Sequence, residues 1–158
     1  MMYHLIVIYQ NLYNMKKQLL IETARKLALK SRMYRRHGAI LTSGSKILAI
    51  GKNCYRPHST GYTIHAECSA LAKVKVSKVS KFKNGLTIYV VRINEHGNLC
   101  DSKPCWHCLQ EMIKSGIGKV IFSTNGGTCV RSSPYKLLEQ AKICYGMKIL
   151  YDGGQYRY

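Results

Sequence analysis

The chain has 158 residues, 46% of them hydrophobic, and sets 25 Lys+Arg against 7 Asp+Glu for a formal net charge of +18. That length suits one domain with a core of its own, and the apolar content excludes an intrinsically disordered chain. The seven cysteines are too few for a disulfide scaffold and, being odd in number, cannot all pair.

No apolar run reaches the roughly 18 residues of a membrane span. The run Leu5-Ile6-Val7-Ile8-Tyr9 lacks the basic flank and cleavage site of a signal peptide, so no such peptide is expected. The basic excess implies an anionic partner: nucleic acid, a nucleotide phosphate or an acidic membrane surface.

Residues 1–14 show no clear period and are read as an N-terminal extension, 15–151 as the single domain, and 152–158 as a polar, aromatic tail. From Lys17 to Lys30, apolar residues recur at helical spacing and predict a first helix. Ala39–Leu41 and Ile47–Ile50 flank Ser43-Gly44-Ser45, which predicts a hairpin. Residues 51–62 read as a loop, and a second helix opens near His65 and runs to Val74. Lys73, Lys75, Lys78, Lys81 and Lys83 crowd the next stretch, either a solvated face or a surface for non-specific nucleic-acid binding.

Leu86–Ile93 suits a buried central strand. Pro104 reads as the start of a third helix ending at Gly116, followed by a strand over Lys119–Phe122 and a loop at Asn125-Gly126-Gly127. Ser133-Pro134 is a cap and first-turn signal for a helix reaching Cys144, with Gly146 as its stop and a last strand over Met147–Leu150. The expected fold is a three-layer α/β/α sandwich around a mixed five-stranded sheet. Its first hairpin is antiparallel and its last two strands are parallel, since the intervening helix makes a crossover.

Two short motifs carry chemistry: His65-Ala66-Glu67, and Pro104-Cys105-Trp106-His107-Cys108. Each alone is weak. Both stand at predicted helix N-termini with a strand between, and together they make a specific constellation. Cys105 and Cys108 at i and i+3 share a helix face, and the helix dipole favours thiolates there. His65 adds a nitrogen ligand. Three protein ligands leave a fourth tetrahedral position for water, the pattern of a catalytic Zn2+ site. Zinc lowers the pKa of such a water, and Glu67 is close enough to move its proton. The remaining cysteines read as small, reduced apolar residues.

This H-x-E…P-C-x-x-C pattern resembles that of the cytidine and deoxycytidylate deaminase superfamily. The resemblance runs from about Met15 to Tyr151, and Gly51-Lys52-Asn53 matches the family's G-x-N. It implies hydrolytic attack at C4 of cytosine, with release of ammonia. Glu67 would act as the proton shuttle, the Ala66 N–H would hold the pyrimidine carbonyl, and Asn53 would contact the sugar. Arg36 lies in a basic run, Arg35-Arg36-His37, that borders the site in this family; a substrate-phosphate contact and a solvated face are both open for it. The spacing between Glu67 and Pro104 exceeds the family's commonest, which bears on the loops around the substrate.

The expected substrate is a free pyrimidine nucleoside or nucleotide, with the dCMP type favoured. One alternative is a base deaminase acting on single-stranded RNA or DNA. Another is a zinc protein that binds nucleic acid without catalysis, against which the intact Glu67 argues. In the family, nucleotide and tRNA-editing branches run the last two strands parallel, and free-cytidine deaminases run them antiparallel. A homo-oligomer is expected, as is a cytoplasmic location, from free thiols and the absence of targeting signals.

Overall fold

The computed structural model describes residues 2–56, 63–74 and 85–141. In chain order its elements are α1 (Met2–Leu29), β1 (Arg36–Ser43), β2 (Lys46–Lys52), β3 (Cys54–Tyr55), β4 (Thr63–Ile64), α2 (Ala66–Leu71), β5 (Leu86–Ile93), β6 (Leu99–Cys100), α3 (Trp106–Lys114), β7 (Ile117–Ser123), β8 (Cys129–Ser132) and α4 (Pro134–Leu138).

The main sheet runs β2-β1-β5-β7-β8, with β6 paired to β5. Neighbours are antiparallel except β5 and β7, which are parallel. Strands β1, β5 and β7 are buried on both faces, and successive residues serve different layers. Ala39, Leu41, Ile88, Val90, Val120 and Phe122 pack with α2, α3 and α4. Ile40, Tyr89, Val91 and Ile121 pack with Leu20, Ile21, Ala24 and Ala28 of α1. The expected three-layer sandwich with a mixed sheet is therefore the observed fold. Gly38 lets α1 lie close on β1: a Cβ there would stand 2.1 Å from the Ala24 carbonyl oxygen.

Several elements differ from expectation: β3, β4 and β6 fall in stretches without an expected strand, α2 stops at Leu71 and α4 at Leu138. The first helix does not begin at Lys17; it runs unbroken from Met2, and Leu5, Ile8, Leu12, Met15 and Leu19 recur at helical spacing across the expected boundary. Pro104 is not the first helical residue: Cys105 is the extended N-cap of α3. The strand beside β7 is β8, antiparallel, with Ser123 opposite Cys129 and Val120 opposite Ser132. Only four residues long, it was hidden in the run between loop and cap. The cap itself is as expected, with the Ser133 hydroxyl accepting from the Lys136 N–H at 3.2 Å. The expected strand Met147–Leu150 and its parallel pairing lie outside the described residues, as do Lys75, Lys78, Lys81 and Lys83.

Candidate active site

His65 and Cys105 occupy equivalent places: each is the extended N-cap residue of its helix, α2 and α3 respectively. Neither side chain caps its own helix, so both are free to turn toward each other. Cys108 sits in the first turn of α3 and is fully buried. His65 Nδ1 lies 3.5 Å from Cys105 Sγ and 3.3 Å from Cys108 Sγ. The three donor atoms all lie within 4.8 Å of one another.

Tetrahedral zinc with Zn–N near 2.0–2.1 Å and Zn–S near 2.3 Å needs donor separations of about 3.6 Å. The observed distances and the nitrogen-plus-two-sulfur set both fit that ion. Among the described residues this is the one His/Cys/Asp/Glu cluster compact enough to hold a metal.

The three ligands exchange protons with one another, protons that a bound metal would displace. The hydrogen bond to Cys105 pushes His65 up to about 9, against burial. The bond from Cys108 pulls Cys105 down to about 3, with His65 helping and burial opposing. The same sharing, with Cys68 joining in and burial adding, pushes Cys108 up. The two thiols thus share one proton through their hydrogen bond. Cys68 Sγ, one residue past Glu67, lies 3.7 Å from Cys108 Sγ.

A cavity of about 560 Å³ opens beside these ligands, lined by His65, Ala66, Glu67 and Cys105 together with His37, Asn53, Tyr55 and Ser102. Glu67 is 4% exposed. Burial pushes its carboxyl above the usual range, partly offset by His65, its own backbone N–H and Cys108. Ala66 is the first residue of α2, a position whose N–H the helix itself leaves without a partner.

Asn53 is also a clamp. Its Oδ1 accepts from the Ser31 hydroxyl at 2.7 Å and the His37 N–H at 2.8 Å. Its Nδ2 donates to the Arg35 carbonyl at 2.6 Å. One Nδ2 hydrogen remains beyond that bond.

Of the residues expected at the site, His65, Ala66, Glu67, Cys105 and Asn53 line the cavity, and Cys108 completes the ligand cluster from beneath. Arg36 does not line it. Its guanidinium donates to the Asn94 carbonyl, while its neighbours Arg35 and His37 face the cavity. Alternate residues of an extended chain share a face, so the basic run presents its outer two members.

The sequence reading also missed Arg92 and Lys103 among the lining residues, and a buried serine pair beneath them. Ser123 Oγ donates to Ser102 Oγ at 2.9 Å, and Ser102 Oγ donates to the Val90 carbonyl at 2.8 Å. This pair fastens the segment carrying Lys103, Pro104 and Cys105 to β5 and β7. Its one sequence signal is the place of Ser102, three residues before the first cysteine.

No curated protein matches the chain by sequence. In structure it is similar to the cytidine deaminase of Burkholderia pseudomallei, at 25% identity over 79% of this chain and 98% of that one, TM-score 0.58. It shares its fold with the dCMP deaminase of cyanophage S-TIM5, at 22% identity over 80% of this chain and 92% of that one, TM-score 0.52. It also shares it with the cytidine deaminase of Mycobacterium tuberculosis, at 20% identity over 78% and 94%, TM-score 0.53. Residues 14–124 match the model of the cytidine and deoxycytidylate deaminase zinc-binding region. With that match covering most of the chain and the ligand cluster at its centre, the protein belongs to the zinc-dependent cytidine and deoxycytidylate deaminase family of hydrolytic enzymes.

Proposed function

We propose that the protein deaminates a free cytosine nucleoside, with Glu67 as the catalytic residue. The observation that carries deamination is the meeting of His65, Cys105 and Cys108 with a buried Glu67 at the base of one cavity. Zinc held by the three ligands supplies Lewis acidity that brings the pKa of a water toward neutrality.

Glu67 takes the proton of the attacking water, passes it to N3 of the ring, and helps the amino group leave as ammonia. Water and cytosine thereby become uracil and ammonia. Burial raises the pKa of this carboxyl, which makes it a stronger base toward the attacking water. The Ala66 N–H holds the pyrimidine carbonyl, and the remaining Nδ2 hydrogen of Asn53 serves the sugar.

One observation supports a nucleoside over a nucleotide. Strand β8, the last among the described residues, runs antiparallel to β7, and the family resemblance associates an antiparallel last pair with free-cytidine deaminases. The dCMP type remains the second reading, favoured by the cations Arg35, Arg92 and Lys103 at the cavity wall. A reducing, cytoplasmic location follows from the need to keep the metal-binding thiols reduced.

The test is ammonia release from cytidine, deoxycytidine, dCMP and a single-stranded oligonucleotide, using protein shown by elemental analysis to carry one zinc per chain. The highest kcat/KM is expected for a nucleoside. Turnover of dCMP alone would select the second reading, and of the oligonucleotide alone a polynucleotide deaminase. Zinc-loaded protein inert on all four would reject the enzyme reading of this site.

A further inference from the structure

Cys68 and Cys108 hold the same place in their helices. Each is the third helical residue, three positions past an N-cap that is His65 in α2 and Cys105 in α3. The two N-cap side chains touch, and so do these two thiols: Cys68 Sγ lies 3.7 Å from Cys108 Sγ. Cys108 belongs to the ligand cluster and Cys68 does not. Cys108 is fully buried, whereas Cys68 is half-buried. A cysteine that only fills space needs no sulfur beside it; this one stands against a metal ligand.

We propose that Cys68 is an oxidation site of the metal centre, at which a hydroperoxide joins it to Cys108 as a disulfide, removing Cys108 from the ligand set and releasing the zinc. The proposal rests on the reading of His65, Cys105 and Cys108 as the zinc ligands.

The geometry allows the bond. A disulfide spans about 2.05 Å, so from 3.7 Å each sulfur has under about 1 Å to travel. The more accessible sulfur reacts first. Cys68 Sγ attacks one peroxide oxygen, the O–O bond breaks, one water leaves, and Cys68 becomes a sulfenic acid. Cys108 Sγ then attacks the Cys68 sulfur, and the S–O bond breaks. The oxygen leaves as a second water, with a proton from the Cys108 thiol, or from solvent where a metal has displaced that proton. Two electrons pass from the two sulfurs to the peroxide, which is reduced to two waters.

The pairing falls on Cys68 and not on Cys105 because Cys105 is itself a ligand. In the zinc-loaded chain Cys68 is the thiol that stays outside the ligand set while touching it. Once Cys108 is in a disulfide, only His65 and Cys105 remain of the three ligands, too few to hold a tetrahedral zinc firmly. A dithiol reductant reverses the step: it takes on the disulfide, and Cys68 and Cys108 return as thiols.

The test uses the zinc-loaded full chain and hydrogen peroxide. Released zinc is followed with a colorimetric chelator, and the products are mapped as unreduced peptides by mass spectrometry. The wild type is expected to lose one zinc for each Cys68–Cys108 link formed, and to regain it with dithiothreitol and added zinc. Cys68→Ser keeps a hydroxyl toward Cys108 but has no sulfur, and should release zinc at least about tenfold more slowly. Cys68→Ala gives the same readout should Cys68→Ser fail to fold.

A wild-type product linked through Cys105 and Cys108 would overturn the proposal. So would zinc loss from Cys68→Ser as fast as from the wild type. Zinc-loaded, active protein indifferent to peroxide would overturn the oxidation site alone, whereas a chain that takes up no zinc would overturn the ligand set with it. Neither readout involves substrate, so zinc-loaded protein inert on every cytosine compound would reject the proposed deamination and leave a peroxide-formed Cys68–Cys108 link standing.

Discussion

A Cβ placed on Gly51 would stand 2.2 Å from the carbonyl oxygen of Ala66. The glycine of the G-x-N motif and the alanine of H-A-E are thus in direct backbone contact, β2 against α2. The contact sets how deeply α2 sits, and α2 carries Glu67 and follows His65. The Ala70 N–H would be 2.6 Å from the same Cβ, so backbone would obstruct it on two sides. Gly51→Ala must therefore push α2 off the sheet. The expected cost is about 3 kcal/mol, the upper range for inserting a methyl into a packed interior. Urea unfolding measures the loss, and a chelator competition should show faster zinc release. A variant of wild-type stability and zinc retention would show that α2 does not depend on this contact.

Glu67→Gln keeps the shape of the side chain and removes its capacity to take a proton. Turnover should fall by about 10²–10⁴-fold, while zinc content and the far-ultraviolet circular dichroism stay as in the wild type. Stability should hold or rise, since the amide lacks the desolvation burden that raises the carboxyl's pKa. Activity within tenfold of wild type would assign the shuttle to another group.

The meeting of His65, Cys105 and Cys108, the place of Glu67 beside them and the layer architecture were legible in the sequence, because each rests on short-range rules. Helix starts place His65 and Cys105, and alternating apolar residues identify β5. What escaped needed tertiary information. Arg36 and its neighbours Arg35 and His37 are equally basic, and only the direction of the strand decides which face the cavity. The pairing of Ser102 with Ser123 joins residues 21 apart and leaves no pattern that composition can show. The early half of α1 looked aperiodic because its apolar residues were divided at residue 15; in the window from Leu5 to Leu19 the three-four alternation is plain.

The serine pair makes a sharper prediction. Both hydroxyls are buried. Ser123 shares its one hydroxyl proton between Ser102 Oγ and the Cys100 carbonyl, which lies at 2.6 Å, and its Oγ accepts from the Arg92 N–H at 3.1 Å. Removing either hydroxyl strands buried partners, so Ser102→Ala and Ser123→Ala should each cost about 1–3 kcal/mol. Because they serve one network, the double variant should cost less than the two losses combined. Strict additivity in urea unfolding would show that the two hydroxyls act separately. Zinc release should quicken in all three variants, since the network anchors the segment leading to Cys105.

His37 gives the fold a specific acid sensitivity. Burial lowers its pKa from 6.5 to about 4, helped by the charges of His65, Arg92 and Arg35 and opposed by its bond to the Arg35 carbonyl. A bound zinc dication would push in the same direction. Above pH 6.5 the ring is neutral in both folded and unfolded chains and contributes no pH dependence. Between pH 6.5 and about 4 the unfolded chain takes up a proton that the folded chain refuses, so folding stability falls as the pH drops through this window. Below it both states are protonated and the penalty is constant. His37→Gln removes the titration while keeping a donor and an acceptor at the site. The wild type should therefore lose more stability than His37→Gln between pH 7 and pH 5, read as the difference in urea midpoints at the two pH values. Other groups titrate equally in both proteins and cancel in that comparison. Equal losses would mean that His37 meets water freely in the folded protein, and that the cavity wall it forms is open on that side.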